Sequence, residues 1–427
     1  MPCYLGIDVG TSGVRAVAID EQGDTVAEHH VAMASPQQDG ARIEQNSWIW
    51  WQAVCEALEG LRDRCAVAEI AAIAVDGTSG TLLLTDANGN PLSNALMYND
   101  ARSEKEAAAI AAVAPAESGA HGASSALAKL MWLQSNNRIP DNAHHALHQA
   151  DWIAGQLSGR FGISDENNCL KLGYDVIHRR WPGWFNLLEI ERSLLPTVTV
   201  PGTAIGTVRP EIAEQLGLSA QTRIVSGTTD SIAAFLATGA SEVGDAVTSL
   251  GSTLVLKVLS EKPVFAPEQG VYSHRLGEKW LVGGASNCGG TTLLKFFDRE
   301  QLTSMTPQLD PTRPTGLDYY PLPSAGERFP INDPALAPRI APRPADDVEF
   351  FQGLLEGIAA VEARGYRLLA ELGAPYPARV QSVGGGASSE PWRMIRAHQL
   401  NTDVSSCRDI ATARGCALLA QMADECG

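Results

Sequence analysis

The residues of this chain best suited to chemistry are carboxylates and glycine–hydroxyl turns placed at the ends of apolar stretches. Asp8 follows "YLGI" and precedes Gly10-Thr11-Ser12-Gly13, after which a second apolar stretch starts at once. Asp230 closes "SGTTD", again after an apolar stretch and at the predicted start of a helix. Gly251-Ser252-Thr253 lies between "VTSL" and "LVLKVLS", and Gly384-Gly385-Gly386 ends the stretch "VQSV". Glycine lets backbone amides approach and converge on an anion, and Ser and Thr add hydroxyl donors. Phosphoryl transfer needs charge neutralisation, in-line positioning and one base for the attacking hydroxyl. Two carboxylates supply that, one beside a metal–phosphate group and one beside the hydroxyl. Each feature alone has an ordinary reading, a turn for the glycines and a helix N-cap for Asp230. Three such turns, two of them opening similar halves, point together to a nucleotide. No Gly-Lys pair occurs anywhere, so a P-loop is excluded.

Other candidates carry less. Asp76 in "AVDGTSGT" and Asp100 in "YNDAR" are further strand-end acids. Tyr98, Asn99, Asp100 and Arg102 suit the hydrogen bonding of a polyol, slightly ahead of the ordinary reading, a hairpin end closed by an ion pair. His144, His145 and His148 have a helical i, i+4 spacing, but no third ligand accompanies them, so packing or surface roles are expected. The tryptophans of 48–51 are read as core.

The predicted elements place these residues. "YLGIDVG" and "VRAVAID" form strands around the first turn, "TVAEHHVAM" a third, and "NSWIWWQAVCEALEGLRDRC" a helix capped by Asn46 or Ser47. Its apolar face is predicted from Trp48, Trp51, Val54, Cys55, Leu58 and Leu61. "EIAAIAVDG" reads as a strand and "TLLLTDANGNPLSNALMYND" as a hairpin with an Asn-Gly turn. From about 103 to 195 the chain reads as mostly helical. A second pass then opens at "TRIVSGTTDSIAAFLATGA", with strand hairpins at 245–260 and 270–287 and a long helix from Asp346 or Asp347. A strand runs into "GGG", and two helices follow, the last from Ala411. The likeness of "GIDVGTSGVRAVAID" to "VTSLGSTLVLKVLS" suggests one nucleotide-binding half used twice. The Pro-rich run 333–347 is expected to be a surface connection.

The chain has 427 residues, 44% hydrophobic and 19% charged, which fits two globular domains. A net charge of −17 disfavours nucleic acid and anionic membrane as partners, since either calls for a basic surface. Eight cysteines without a C-x-x-C read as reduced thiols. Neither a signal peptide nor an apolar run of membrane-spanning length is visible, and a cytoplasmic protein is expected.

On these motifs the chain resembles the FGGY-type carbohydrate kinases of the actin-like, sugar kinase and heat-shock ATPase superfamily. The resemblance runs nearly end to end: the first phosphate motif at "GIDVGTSGVRAVAID", the sugar-side motif at "YNDAR", and the catalytic-aspartate segment at "SGTTDSIAAFLATGA". "VTSLGSTLVL" resembles the second phosphate motif, "PLPSAGERFP" the Gly-Glu-Arg turn, and "VGGGASSEPWRMIRA" the adenosine motif. It implies an α/β fold of two actin-like (ribonuclease-H-like) domains, mixed sheets flanked by helices, with a nucleotide cleft between them, here 1–238 and 239–427. It implies ATP and Mg2+, with Asp230 as general base and Asp8 at metal and phosphates. Thr11, Ser12, Gly251, Ser252 and Thr253 would hold phosphates; Gly289, Gly290, Gly385, Gly386, Ser389 and Trp392 complete the nucleotide set. The acceptor would contact Asp8, Ser79, Asn99, Asp100, Arg102 and Asp230. Many xylulose kinases carry Met-His after the "DGT" turn, where this chain has Ser79-Gly80; the short "DGTS" branch resembles D-ribulose kinases. The implied acceptor is a pentulose, D-ribulose ahead of D-xylulose, with another polyol such as glycerol behind both. A nucleotide switch without a sugar substrate is the alternative of a different class. A homodimer is neither implied nor excluded.

Overall fold

A computed structural model describes residues 2–62, 64–407 and 411–425. The chain divides into two compact units, one of Met1–Gly239 with Ala411–Gly427 and one of Ala240–Ile410.

In the first unit, the strands Cys3–Val9, Gly13–Ile19 and Thr25–Ala32 form an antiparallel meander. Ile70–Gly77 joins Cys3–Val9 in parallel, and Arg223–Val225 joins Ile70–Gly77 in parallel. The central strands are apolar along nearly their whole length because helices cover the sheet. Asn46 caps the helix Ser47–Glu59, its side chain accepting from Trp48 N. That helix buries Trp50, Ala53, Val54, Ala57 and Leu58, whereas Trp48 is 45% exposed. The predicted face was therefore out of phase at its start: three tryptophans in four residues fit a helical stripe in more than one rotation. A smaller antiparallel sheet holds Gln37–Asp39, Arg42–Gln45, Ala95–Leu96, Leu82–Thr85 and His145–His148.

That last strand corrects the helical reading of the histidines. His148 instead precedes the helix Gln149–Ser158, bonded through Nδ1 to Asp151 Oδ2 at 3.0 Å. The middle is less helical than expected. Beyond Glu104–Val113, Ala126–Ser135 and Gln149–Ser158, it runs through the short strand Ile163–Asp165 and 3-10 turns to Leu194.

The second unit repeats the first unit's strand order. Asp245–Leu250, Leu254–Ser260 and Lys279–Ser286 form the meander, with Arg379–Val383 and then Asp403–Ser406 added in parallel. In both sheets the first strand lies between the second and the fourth, as expected of one half used twice. The helices Asp347–Glu371 and Glu390–Leu400 pack together in this unit. The Pro-rich run lies within it as irregular chain.

The second half, expected to continue to 427, ends as a compact unit at Ile410. The terminal helix Thr412–Glu425 packs on Cys3–Val9, Ile70–Gly77 and the helix Asp230–Ala237, all in the first unit. Its small face of Ala413, Cys416, Ala417 and Ala420 is buried there. Among the described residues no helix is long and apolar enough to cross a membrane. The seven described cysteines are free thiols; Cys426 lies outside the described residues.

Candidate active site

In the first unit the sheet brings three carboxylates together. Asp8 is the register partner of Asp76 on the neighbouring parallel strand, and Asp76 is in turn the register partner of Thr228. Asp230, two residues beyond Thr228, begins the helix Asp230–Ala237 and accepts from Ser231 N at 2.6 Å. Asp8 and Asp230 keep part of their surface open, while Asp76 is fully buried. Asp76 Oδ2 lies 3.1 Å from Cys416 Sγ, and its Oδ1 has no hydrogen-bond partner. Burial pushes the Asp8 carboxyl up to about 6; the negative charge of Asp230 adds to this, and Asp76 and Arg15 oppose it. Burial, followed by the charge of Asp8, also raises Asp76.

This clustering has a consequence for stability. The ordinary value for Asp8 is 3.8, so between that and about 6 the folded protein binds a proton that the unfolded chain has released. Stability from this group is therefore complete at low pH and falls as pH rises through that window. Without nucleotide, Asp8→Asn is expected to be more stable than the parent at pH 7, by about 1–3 kcal/mol, with the gap closing toward pH 4. Urea melts of both proteins at the two pH values check this, and equal stabilities at pH 7 would contradict it.

Magnesium fits here. Among the described residues no three His, Cys, Asp or Glu side chains gather into a metal cage. Mg2+ commonly keeps several waters and substrate phosphates and needs only one or two carboxylates. Asp8 offers one, in surroundings already rich in negative charge.

The first turn is closed by Gly10 N donating to Gly13 O at 3.0 Å. Thr11 and Ser12 stand at its tip, with Ser12 exposed. The 76–81 turn is braced by two lysines that the sequence reading missed. Lys129, fully buried, donates to Gly80 O at 2.7 Å, and Lys171 donates to Ser79 O at 3.0 Å. Burial lowers Lys129 to about 7 and also lowers Lys171, against which the charge of Asp230 acts. Ser79 stays partly open.

The "YNDAR" residues divide. Asp100 is fully buried, accepting from Ile43 N at 2.7 Å and from Arg102 Nε at 2.9 Å. Arg102 also pairs with Glu44 at 2.7 Å and lies over the Trp132 ring. Here Asp100 and Arg102 form the ion pair that closes a hairpin end. Asn99 is exposed.

In the second unit a cavity of about 750 Å³ gathers Gly251, Ser252, Gly290, Gly385, Gly386, Ser389 and Trp392. Thr253 and Gly289 do not line it. Thr253 O closes the loop by accepting from Gly251 N, and the segment after Gly289 clamps that loop through Gly290 N to Gly251 O at 2.9 Å. The glycine run opens a 3-10 turn, Gly385–Ser388, and not the following helix, which Ser389 caps. Trp392 is fixed by its Nε1 donating to Leu355 O at 3.2 Å. Leu293, Leu302, Phe351 and Leu355 supply an apolar wall that no local motif revealed. The size and the mix of apolar wall with a few polar groups suit a nucleoside.

A Cβ at Gly385 would meet nothing within 4 Å, so a larger side chain there enters the cavity without disturbing the fold. Gly385→Val is expected to raise KM for ATP at least about ten-fold while kcat and the melting temperature stay close to the parent. Steady-state kinetics with varied ATP check this; an unchanged KM would remove Gly385 from the nucleotide site.

Residues 3–237 match the N-terminal domain, and residues 246–423 the C-terminal domain, of the FGGY family of carbohydrate kinases. A xylulose kinase of Escherichia coli (strain K12) is 27% identical over 446 residues, covering 98% of this chain and 90% of its own. An L-fuculokinase of Salmonella typhi is 26% identical over 446 residues, covering 96% and 89%. The crystal structure of a xyloylose kinase from Brucella ovis matches with a TM-score of 0.90 at 27% identity, over 100% of this chain and 91% of that one. The chain belongs to the FGGY family of carbohydrate kinases and is an ATP-dependent sugar kinase.

Proposed function

We propose that the kinase phosphorylates the terminal primary hydroxyl of a pentulose, D-ribulose giving D-ribulose 5-phosphate. The observation that carries the catalytic part is the meeting of Asp8, Asp76 and Asp230 at adjoining strand ends, with Asp230 partly open at a helix start. Asp230 accepts the proton of the acceptor hydroxyl. That oxygen bonds to the γ-phosphorus of ATP as the bond to the β–γ bridging oxygen breaks, and ADP leaves. Mg2+, held at Asp8 when bound with ATP, supplies charge neutralisation at the phosphates. In the first unit Thr11 and Ser12 donate to phosphate. In the second, Gly251 to Thr253 do the same, and Gly385, Gly386, Ser389 and Trp392 frame the adenosine.

The acceptor is read from the Ser79 turn, whose hydroxyl stands where many xylulose kinases carry Met-His. D-xylulose is the second reading, favoured by the names of the Escherichia coli and Brucella ovis relatives. Coupled ADP release with Mg2+ and ATP over D-ribulose, D-xylulose, L-ribulose, L-xylulose, glycerol and erythritol, with a no-sugar blank, decides. Highest kcat/KM on D-ribulose supports the first reading and on D-xylulose the second. No turnover on any acceptor, with ATP still bound, would overturn both.

A further inference from the structure

We infer that Cys416 is a positioning residue for the catalytic carboxylates, acting through a hydrogen bond to Asp76. The inference rests on the proposed roles of Asp8 and Asp230. The terminal helix meets its neighbours backbone to backbone on two sides. A Cβ on Gly6, in the strand that carries Asp8, would stand 1.8 Å from Ala413 O. One on Gly415 would stand 1.8 Å from Ala233 O, in the helix that Asp230 begins. The helix therefore touches the carriers of both carboxylates with no side chain between. Cys416, adjacent to Gly415, is fully buried with its Sγ 3.1 Å from Asp76 Oδ2.

Asp76 is the central member of the row, register partner to Asp8 on one side and to Thr228 on the other. Its Oδ1 has no protein partner, so Oδ2 is the end by which the protein holds this carboxylate. A thiol is a weak donor to a neutral oxygen, but a carboxylate oxygen buried in the protein strengthens the bond. Without the thiol hydrogen Asp76 keeps only its side-chain hydrogen bond with Asp8, and the pair can turn together within the site. Asp8, bonded to Asp76, then loses the anchor that Cys416 gives to the pair. A thiol that merely fills space would tolerate replacement by any small residue. A thiol that donates would tolerate only another donor.

The test compares wild type, Cys416→Ala and Cys416→Ser with D-ribulose and D-xylulose, with Asp230→Ala as reference. The S–H stretching band is read in parallel by infrared difference between wild type and Cys416→Ala. The alanine variant is expected to lower kcat about ten-fold, the size of one lost hydrogen bond to a charged group, with both KM values within about two-fold. Serine should return kcat to within about three-fold of wild type. The Cys416 band should lie at the low frequency of a strongly donating thiol and move upward in Asp76→Asn. The inference is overturned if alanine leaves kcat unchanged, or if alanine and serine lose kcat alike and in step with their urea midpoints. A band at the free-thiol frequency, unmoved by Asp76→Asn, overturns it with or without an acceptor. An active Asp230→Ala would sink the reading of the carboxylates itself, whereas an inactive one beside a fully active Cys416→Ala sinks this inference alone.

Discussion

Replacing Asp230 with alanine is expected to lower kcat by about 10²- to 10⁴-fold, the usual loss when a positioned general base is removed. ATP binding should survive, because the cavity that suits adenosine is lined by residues of 250–392. The argument needs a control, since Asp230 also serves its own helix. It occupies the first helical position, Thr229 before it makes no side-chain cap, and Oδ1 of Asp230 accepts from Ser231 N. Alanine removes cap and base together, and a lost cap costs about 1 kcal/mol of stability. Asparagine separates the two, keeping an oxygen for Ser231 N without a group able to take a proton. Asp230→Asn is therefore expected to melt like the parent and to be nearly as inactive as alanine. Steady-state kinetics beside thermal melts read both. Turnover within a few-fold of the parent in Asp230→Asn would assign the carboxylate to the helix alone.

The parts of this site that the sequence revealed are those whose chemistry is local. Asp8, near the end of one strand, is separated from the next strand's first residue, Gly13, by a turn short enough that one window shows strand, turn and strand. Asp230 is visible because a strand ends, two threonines bridge to the sheet, and a helix opens within eight residues. Asp76 was seen as a strand-end acid but not as a partner of Asp8, although "AVDG" and "GIDVG" share an order that a parallel pairing would align. Cys416 gave no signal at all, since its contact with Asp76 spans 340 positions. The same distance hid the return of the terminal helix to the first unit. Its small residues fit either unit until the facing glycines are known. At Asp100 residue type shows that a carboxylate can bind a hydroxyl, but not that Ile43 N and Arg102 donate to it. His145 to His148 failed through brevity, because four residues fit a strand as well as a helical turn.

The largest expected loss of stability lies in the second unit, at the buried ion pair of Arg396 and Glu362. Arg396 meets Glu362 in a two-pronged contact, Nε to Oε2 at 2.6 Å and Nη2 to Oε1 at 2.7 Å. Both are essentially inaccessible, at 1% and 0% of side-chain exposure. Thr248 donates to Glu362, and Arg396 donates to Ser382. The network thus joins two helices to the strands Asp245–Leu250 and Arg379–Val383. Glu362→Ala strands a guanidinium in the core, and such losses run to about 3–5 kcal/mol. Charge deletion and lost packing are told apart by Glu362→Leu with Arg396→Met, which removes both charges at similar volume and is expected to recover most of the stability. Equilibrium urea unfolding measures all of these. The two strands lead into Gly251 and the Gly384 turn, so their alignment sets where the cavity-lining Gly251, Ser252, Gly385 and Gly386 stand. Glu362→Ala is therefore expected to raise KM for ATP even well below its melting temperature, while the double replacement restores it. A single variant that melts within about 1 kcal/mol of the parent would mean that water or another group satisfies Arg396, and that the pair does not hold these strands in place.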